Sequence, residues 1–322
     1  MVLWKTGSAL TMTFSLACPV AAQPTARLRR IGVLRWGASG DEAQALLTQA
    51  LAALGYVPGQ NITIEWRFAT SADAAQRHAA ELASMDLDLI LASATPAAVA
   101  LRDAVSSVPI VLAGVADPVG ARLVRSLARP GGNISGVSSN LPSMVPKQMQ
   151  LLTEVVPHLQ RVAFLGSTQD PVTGLFVNQA RQAAQALGLA LQVALIRQIG
   201  DVEKALDGLQ RDGAQALVVQ PLFAVSDVRP LVGMLTQRKL PAVTAQRSFA
   251  RSGGLMAYGF SQSDLARRAA SFVDRIFKGA SPADLPIEEP TSYDMVINLK
   301  SARAMDMVLP QLLLLRADEV IQ

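Results

Sequence analysis

Short runs of strand-like character alternate with stretches of helical periodicity along nearly the whole chain. Ile31 to Trp36 has the pattern of a buried strand, and Asp41 to Leu54 follows with Ala43, Leu46, Leu47, Ala50, Leu51 and Leu54 on one helical face. Asn61 to Phe68 alternates with period two, as a half-buried strand does. Leu87 to Ala92 and Pro109 to Val115 read as further strands, each followed by an alanine-rich helix. Strands and helices in strict alternation predict βαβ units, and so an α/β fold with a parallel sheet covered by helices on both faces.

The pattern then restarts. Arg161 to Gly166 resembles a new first strand and Val172 to Leu187 its helix, with strands at Ala190 to Ile196, Ala214 to Gln220 and Pro241 to Ala245. Each half closes with a glycine pair before a short strand: Gly131-Gly132 before Ser135 to Ser138, and Gly253-Gly254 before Ala257 to Gly259. Two doubly wound lobes explain this repetition better than one large sheet. Beyond the second lobe come an amphipathic helix (Ser261 to Lys278), an acidic, proline-rich connector (Ala283 to Pro290), a strand (Tyr293 to Asn298), a helix and an apolar tail from Leu309 to Ile321. These extra elements predict that the chain crosses between lobes more than once, through a multi-strand hinge. The expected division is residues 27–138 plus about 260–285 for the N-terminal lobe, and 139–257 plus about 290–322 for the C-terminal lobe.

The first thirty residues differ from the rest. Lys5 is the only charge before Arg27, and the apolar run Ala9 to Ala22 ends in Val20-Ala21-Ala22, small side chains of the kind a signal peptidase requires. Residues 1–22 are therefore expected to be a signal peptide cleaved near Ala22, giving a periplasmic protein. Two other readings are a buried N-terminal helix and a lipid anchor on Cys18, although Ser15-Leu16-Ala17 fits the lipoprotein signal poorly. Cys18 is the only cysteine, so the expected mature chain has no thiol and no disulfide.

Composition narrows the function. The net charge is +4, aromatic residues make up 5% of the chain, and basic residues occur only in short clusters such as Arg29-Arg30 and Arg267-Arg268. A nucleic-acid groove needs a concentrated basic face with stacking aromatics, so no nucleic-acid partner is expected. The only histidines are His78 and His158, which argues against a transition-metal site. No G-x-S-x-G or Walker-type motif occurs, and Gly32, Gly37 and Gly40 lack dinucleotide spacing. No cofactor and no enzymatic activity are expected.

Open parallel sheets bind ligands at the carboxyl ends of their strands. In the first half those positions hold Ser39, then Ser93-Ala94-Thr95-Pro96, then Asp117-Pro118. Thr95 before Pro96 reads as a helix cap, a ligand contact, or both. Asp117 either caps the next helix or accepts from a ligand. In the second half the corresponding loops contain Gln169, then Gln220-Pro221-Leu222-Phe223, then Ser248-Phe249. Amide, hydroxyl and apolar groups in one place suit a small organic ligand held against a hydrophobic wall, although Phe223 or Phe249 can equally be core residues.

Several segments carry a resemblance: ATPAA at Ala94 to Ala98, ADPVG at Ala116 to Gly120, LARPGGNISGV at Leu127 to Val137, GGLMAYG at Gly253 to Gly259, KGASPADLPIEEPT at Lys278 to Thr291 and VINLKSARAM at Val296 to Met305. Through them the chain resembles the ABC transporter substrate-binding family that includes tryptophan- and tyrosine-type binding proteins, with the type I periplasmic-binding fold. The resemblance implies a ligand cleft between lobes, an ABC permease in the inner membrane as partner, and ligand positions at Ser93, Thr95, Asp117 and Asn140; a monomer is expected. The chain departs from amino-acid-binding members at Pro221-Leu222-Phe223, where those carry polar, often acidic residues, so an ammonium would need another acceptor. A sensor that presents its ligand to a receptor or regulator is the rival expectation.

Overall fold

The computed structural model of the chain describes residues 1–2, 28–37, 42–224 and 228–322. Residues 3–22 of the expected signal segment, Cys18 among them, and Ser39 lie outside the described residues.

The first lobe is built from β1 (Arg29–Trp36), α1 (Glu42–Ala53), β2 (Ile62–Ala69), α2 (Ala72–Ala83), β3 (Leu89–Ser93), α3 (Thr95–Ala104), β4 (Ile110–Val115) and β5 (Ile134–Ser138). The strands form one parallel sheet in the order β2-β1-β3-β4-β5. Residues alternate between its faces. A side chain at Gly32 would run into Leu82 of α2, whereas Val33 next to it points to the opposite face, into the cavity described below.

The second lobe contains α4 (Val145–Val155), β6 (Arg161–Ser167), α5 (Thr173–Leu187), β7 (Ala190–Ile196), α6 (Val202–Arg211), β8 (Ala216–Val219), α7 (Arg229–Gln237), β9 (Ala242–Thr244), α8 (Arg247–Arg251) and β10 (Met256–Phe260). The chain then returns to the first lobe as α9 (Gln262–Phe277), which packs against α1, β4 and β5. It ends in the second lobe as β11 (Tyr293–Asn298), α10 (Leu299–Ala304), α11 (Gln311–Leu314) and β12 (Glu319–Ile321). The second sheet has the order β12-β11-β10-β9-β8-β6-β7.

Three features differ from a simple repeat of parallel units. The helix expected after β4 is absent, and residues 116–133 reach β5 through turns. β11 runs antiparallel to β10, because the chain re-enters this lobe beside the end of β10 and must run back along it, pairing Tyr293 with Phe260. The apolar tail also ends in a strand: Glu319–Ile321 pairs with β11.

The lobes are joined by a multi-strand hinge. The chain passes between them after β5, at Ser261 after β10, and again before β11. Near the third passage the Ser138 amide donates to the Glu288 carbonyl (2.8 Å) and the Glu288 amide to the Gly136 carbonyl (3.0 Å). Arg268 and Arg275 of α9 both pair with the Glu288 carboxylate. Gly136 lies here with φ +129, and a Cβ on it would overlap the Leu112 backbone. Only glycine fits a position that combines a left-handed φ with so close a backbone approach.

Candidate functional site

Loops at the carboxyl ends of strands in both sheets converge on one cavity of about 200 Å³. That is below the range typical of pockets for drug-sized ligands, so the cavity has room for one small molecule. Strand register explains its first-lobe wall. Trp66, Val33 and Leu91 are neighbours across β2, β1 and β3, and Arg35 pairs with Ser93 two residues further along. All five side chains line the cavity. Facing them are Leu47 of α1 and Leu265, Ala266 and Ala269 of α9. The cavity therefore extends from between the lobes into the first lobe as an apolar slot, with small residues Ala113, Gly114, Ala266 and Ala269 leaving the room.

The second-lobe wall is more polar. It comprises Asp170, Phe176 and Gln220 to Leu222, with Gln246, Arg247 and Ser248 from the α8 region. Arg247 is held by Asp294 (3.3 Å) and Glu319 (3.1 Å). Across the lobes, the Gln262 side chain donates to Gln246 (3.0 Å).

Asp170 and Gln220 form the centre of this wall. Gln220 accepts at Oε1 from the Ser167 amide (2.7 Å) and the Thr173 hydroxyl (3.1 Å), which turns its Nε2 toward Asp170 Oδ2 (2.8 Å). Asp170 Oδ1 accepts from the Val172 amide (3.2 Å). Burial raises the Asp170 carboxyl to about 6, and its hydrogen bonds from Val172 and Gln220 offset this only in part.

The residues expected from the sequence separate into two groups. Ser93, Thr95, Gln220, Leu222 and Ser248 all line the cavity. No described residue hydrogen-bonds the Ser93 hydroxyl, which leaves it open to a ligand. Thr95, expected at a helix cap, is instead the first residue of α3, behind Ala94 with φ 70° and ψ 157°. Its hydroxyl is turned to β4 and accepts from the Ala116 amide (3.3 Å) rather than capping its own helix. Backbone held in so sparsely populated a region is stored strain of a kind that clusters at ligand clamps.

Asp117, Asn140, Gln169 and Phe223 stand apart from the cavity. Asp117 accepts at Oδ1 from the amides of Val119 (3.0 Å) and Gly120 (2.8 Å), so it closes its own turn. With Asn140 it borders a separate polar pocket against α5. Gln169 accepts from the Ala72 amide of the first lobe (3.0 Å) and donates to the Arg197 carbonyl, linking the lobes outside the cavity. Phe223 is buried in the second-lobe core with Leu217 and Leu235.

Reasoning from loops alone misses Arg35, Trp66 and Phe176, which lie on strands or a helix, and Asp170, which follows Gln169 directly. The pairing of Arg35 with Ser93 is the signal that identifies the first of these. Among the described residues no cluster of three or more His, Cys, Asp or Glu is arranged to hold a metal ion, and no helix is long and apolar enough to cross a membrane.

Two doubly wound lobes with a hinge of several strands and a shared cavity define the type I periplasmic-binding fold. Residues 35–321 match the family described as ABC transporter substrate binding protein, and the chain belongs to that family. A tyrosine-binding protein of Clostridioides difficile is 27% identical over 268 residues, covering 83% of this chain and 77% of the relative. The structure of an ABC domain in complex with L-Trp from Streptococcus pneumonia is similar at TM-score 0.83 and 25% identity, covering 91% of this chain and 99% of that one. The ligand-free, open structure of a substrate binding protein with adhesive properties from Clostridium difficile has the same identity and coverage at TM-score 0.66.

Proposed function

We propose that this protein is the extracytoplasmic solute-binding component of an ABC importer, capturing a small amphipathic organic molecule, with aromatic amino acids as the leading class, by closure of its two lobes. The observation that carries this reading is that one cavity takes its apolar slot from the first lobe and its polar wall from the second. A ligand touching both lobes favours the closed state, whereas a ligand touching one lobe cannot shift the equilibrium. The similarity scores agree with a closed arrangement, since the L-Trp complex matches at 0.83 and the open, ligand-free structure at 0.66 with equal coverage. The names of the tyrosine- and L-Trp-binding relatives, together with Trp66 and Phe176 in the wall, favour an aromatic group.

In this reading residues 27–138 with about 260–285 move as one lobe, and 139–257 with about 290–322 as the other. The N-terminal segment directs export to the periplasm, and the closed form docks on a permease as a monomer. Ser93 and Thr95 mark the ligand's path from the first lobe, and Gln220, Leu222 and Ser248 from the second. Asp117 and Asn140 border the separate pocket against α5 rather than the ligand cavity, and the protein performs no chemistry on its ligand.

A thermal-shift panel tests the reading, using protein unfolded and refolded to strip bound ligand. Amino acids, aromatic acids, purines and small carboxylates are compared. Binding to the native state adds stability of RT ln(1 + [L]/Kd), about 2.7 kcal/mol at a hundredfold excess. The expected result is a raised Tm with aromatic amino acids and no shift with purines. Silence across the panel contradicts capture of these compounds.

A further inference from the structure

We propose that Asp170 is the acceptor for a positively charged amino group on the ligand, so that the cavity selects amino compounds over the corresponding deaminated acids. The inference rests on the capture reading above and specifies its ligand.

Asp170 is 7% exposed and lines the cavity. A buried carboxylate is costly unless a cation compensates it. Here the neighbours are the Gln220 amide and the Val172 backbone amide, and none of the described arginines, lysines or histidines forms an ion pair with it. The one contact a local turn requires, from the Val172 amide, could be made by an exposed aspartate without any desolvation. The fold goes further. It fixes Gln220 through Ser167 and Thr173 so that an amide, not a cation, faces Asp170. Each carboxylate oxygen accepts one hydrogen bond from the protein and keeps capacity for another. The counter-charge missing from the protein is therefore the one a ligand ammonium supplies, from the side where the cavity lies.

Position agrees with this. Leu222, in the segment after β8, gives the wall an apolar group, and Asp170 reaches the same wall from the loop after β6. With the apolar slot opposite, the arrangement fits a molecule that has a hydrophobic group at one end and an amine at the other.

Three matched probes test the proposal by isothermal titration with refolded protein: L-tryptophan, tryptamine, and indole-3-propionate, which keeps the ring and carboxylate but lacks the amine. The wild-type protein is expected to bind L-tryptophan at least 50-fold more tightly than indole-3-propionate. Asp170→Asn should abolish that preference. Equal wild-type affinity for L-tryptophan and indole-3-propionate, or an undiminished preference in Asp170→Asn, would each overturn the proposal. If indole-3-propionate alone binds, capture stands and the role of Asp170 falls. If none of the three binds, the aromatic amino-compound reading falls and takes the proposal with it.

Discussion

Arg251 of the second lobe reaches across to Glu42 of the first, with its Nη1 3.0 Å and 3.1 Å from the two carboxylate oxygens. The same guanidinium is anchored at home by Glu319 (3.0 Å). Glu42 lies at the edge of the cavity, so the pair spans the cleft beside the ligand site. It exists only while the lobes are together, and it therefore contributes to closure rather than to the stability of either lobe.

Both side chains are more than a third exposed, so the contribution is small, about 0.2–1 kcal/mol for pairs of this kind. Glu42→Gln should weaken ligand affinity by no more than about fivefold, and the difference should disappear in 0.5 M salt as screening takes over. Titrations of both proteins at low and high ionic strength measure it. A salt-independent loss would place Glu42 in direct contact with the ligand.

Asp170 makes stability depend on pH in a defined direction. Its carboxyl is raised to about 6 in the folded chain by burial, against about 3.9 in an unfolded one. Between these values the native state holds more protons at this residue than the unfolded state, so the contribution of Asp170 to stability is most favourable below pH 4 and falls as pH rises to 6. The loss attributable to this residue is about 3 kcal/mol. Urea unfolding of ligand-free protein at pH 4.5 and pH 7 should show a smaller drop in Asp170→Asn than in wild type. Equal drops would mean that Asp170 does not titrate in this range.

Filling the apolar slot should exclude the ligand and leave the fold standing. Ala266 of α9 borders the slot, and Ala266→Leu adds volume there at a stability cost of about 1–3 kcal/mol. A loss of L-tryptophan affinity of tenfold or more is expected, with far-ultraviolet circular dichroism unchanged. Unchanged affinity would mean that the ligand does not enter the first lobe.

Gly136 at the hinge tolerates no side chain. Its φ of +129 and the proximity of the Leu112 backbone make Gly136→Ala destabilising by about 2–4 kcal/mol. Urea unfolding checks this directly, with Gly132→Ala, whose surroundings are open, as the control.

Much of the architecture is legible in the sequence because buried parallel strands are continuous apolar runs. Ala190–Ile196 and Tyr293–Asn298 are read to the residue. β12 is not, since three residues in an apolar tail carry no periodicity and become a strand only by pairing with β11. The site is less legible for a similar reason. The rule that ligands sit beyond strand ends finds Ser93, Leu222 and Ser248, but the slot is lined from within the sheet, where Trp66 and Leu91 look like ordinary core residues. Gln169 and Asp170 are adjacent, and only the turn geometry decides that one links the lobes while the other lines the cavity.

The central claim is that two lobes close on a small ligand, and small-angle X-ray scattering of the refolded protein tests it most directly. Curves are compared without ligand and with a saturating amount of a compound that raises the melting temperature. A smaller radius of gyration and a shorter maximum dimension in the presence of ligand are predicted. Superimposable curves from protein shown by titration to be saturated would contradict capture by closure.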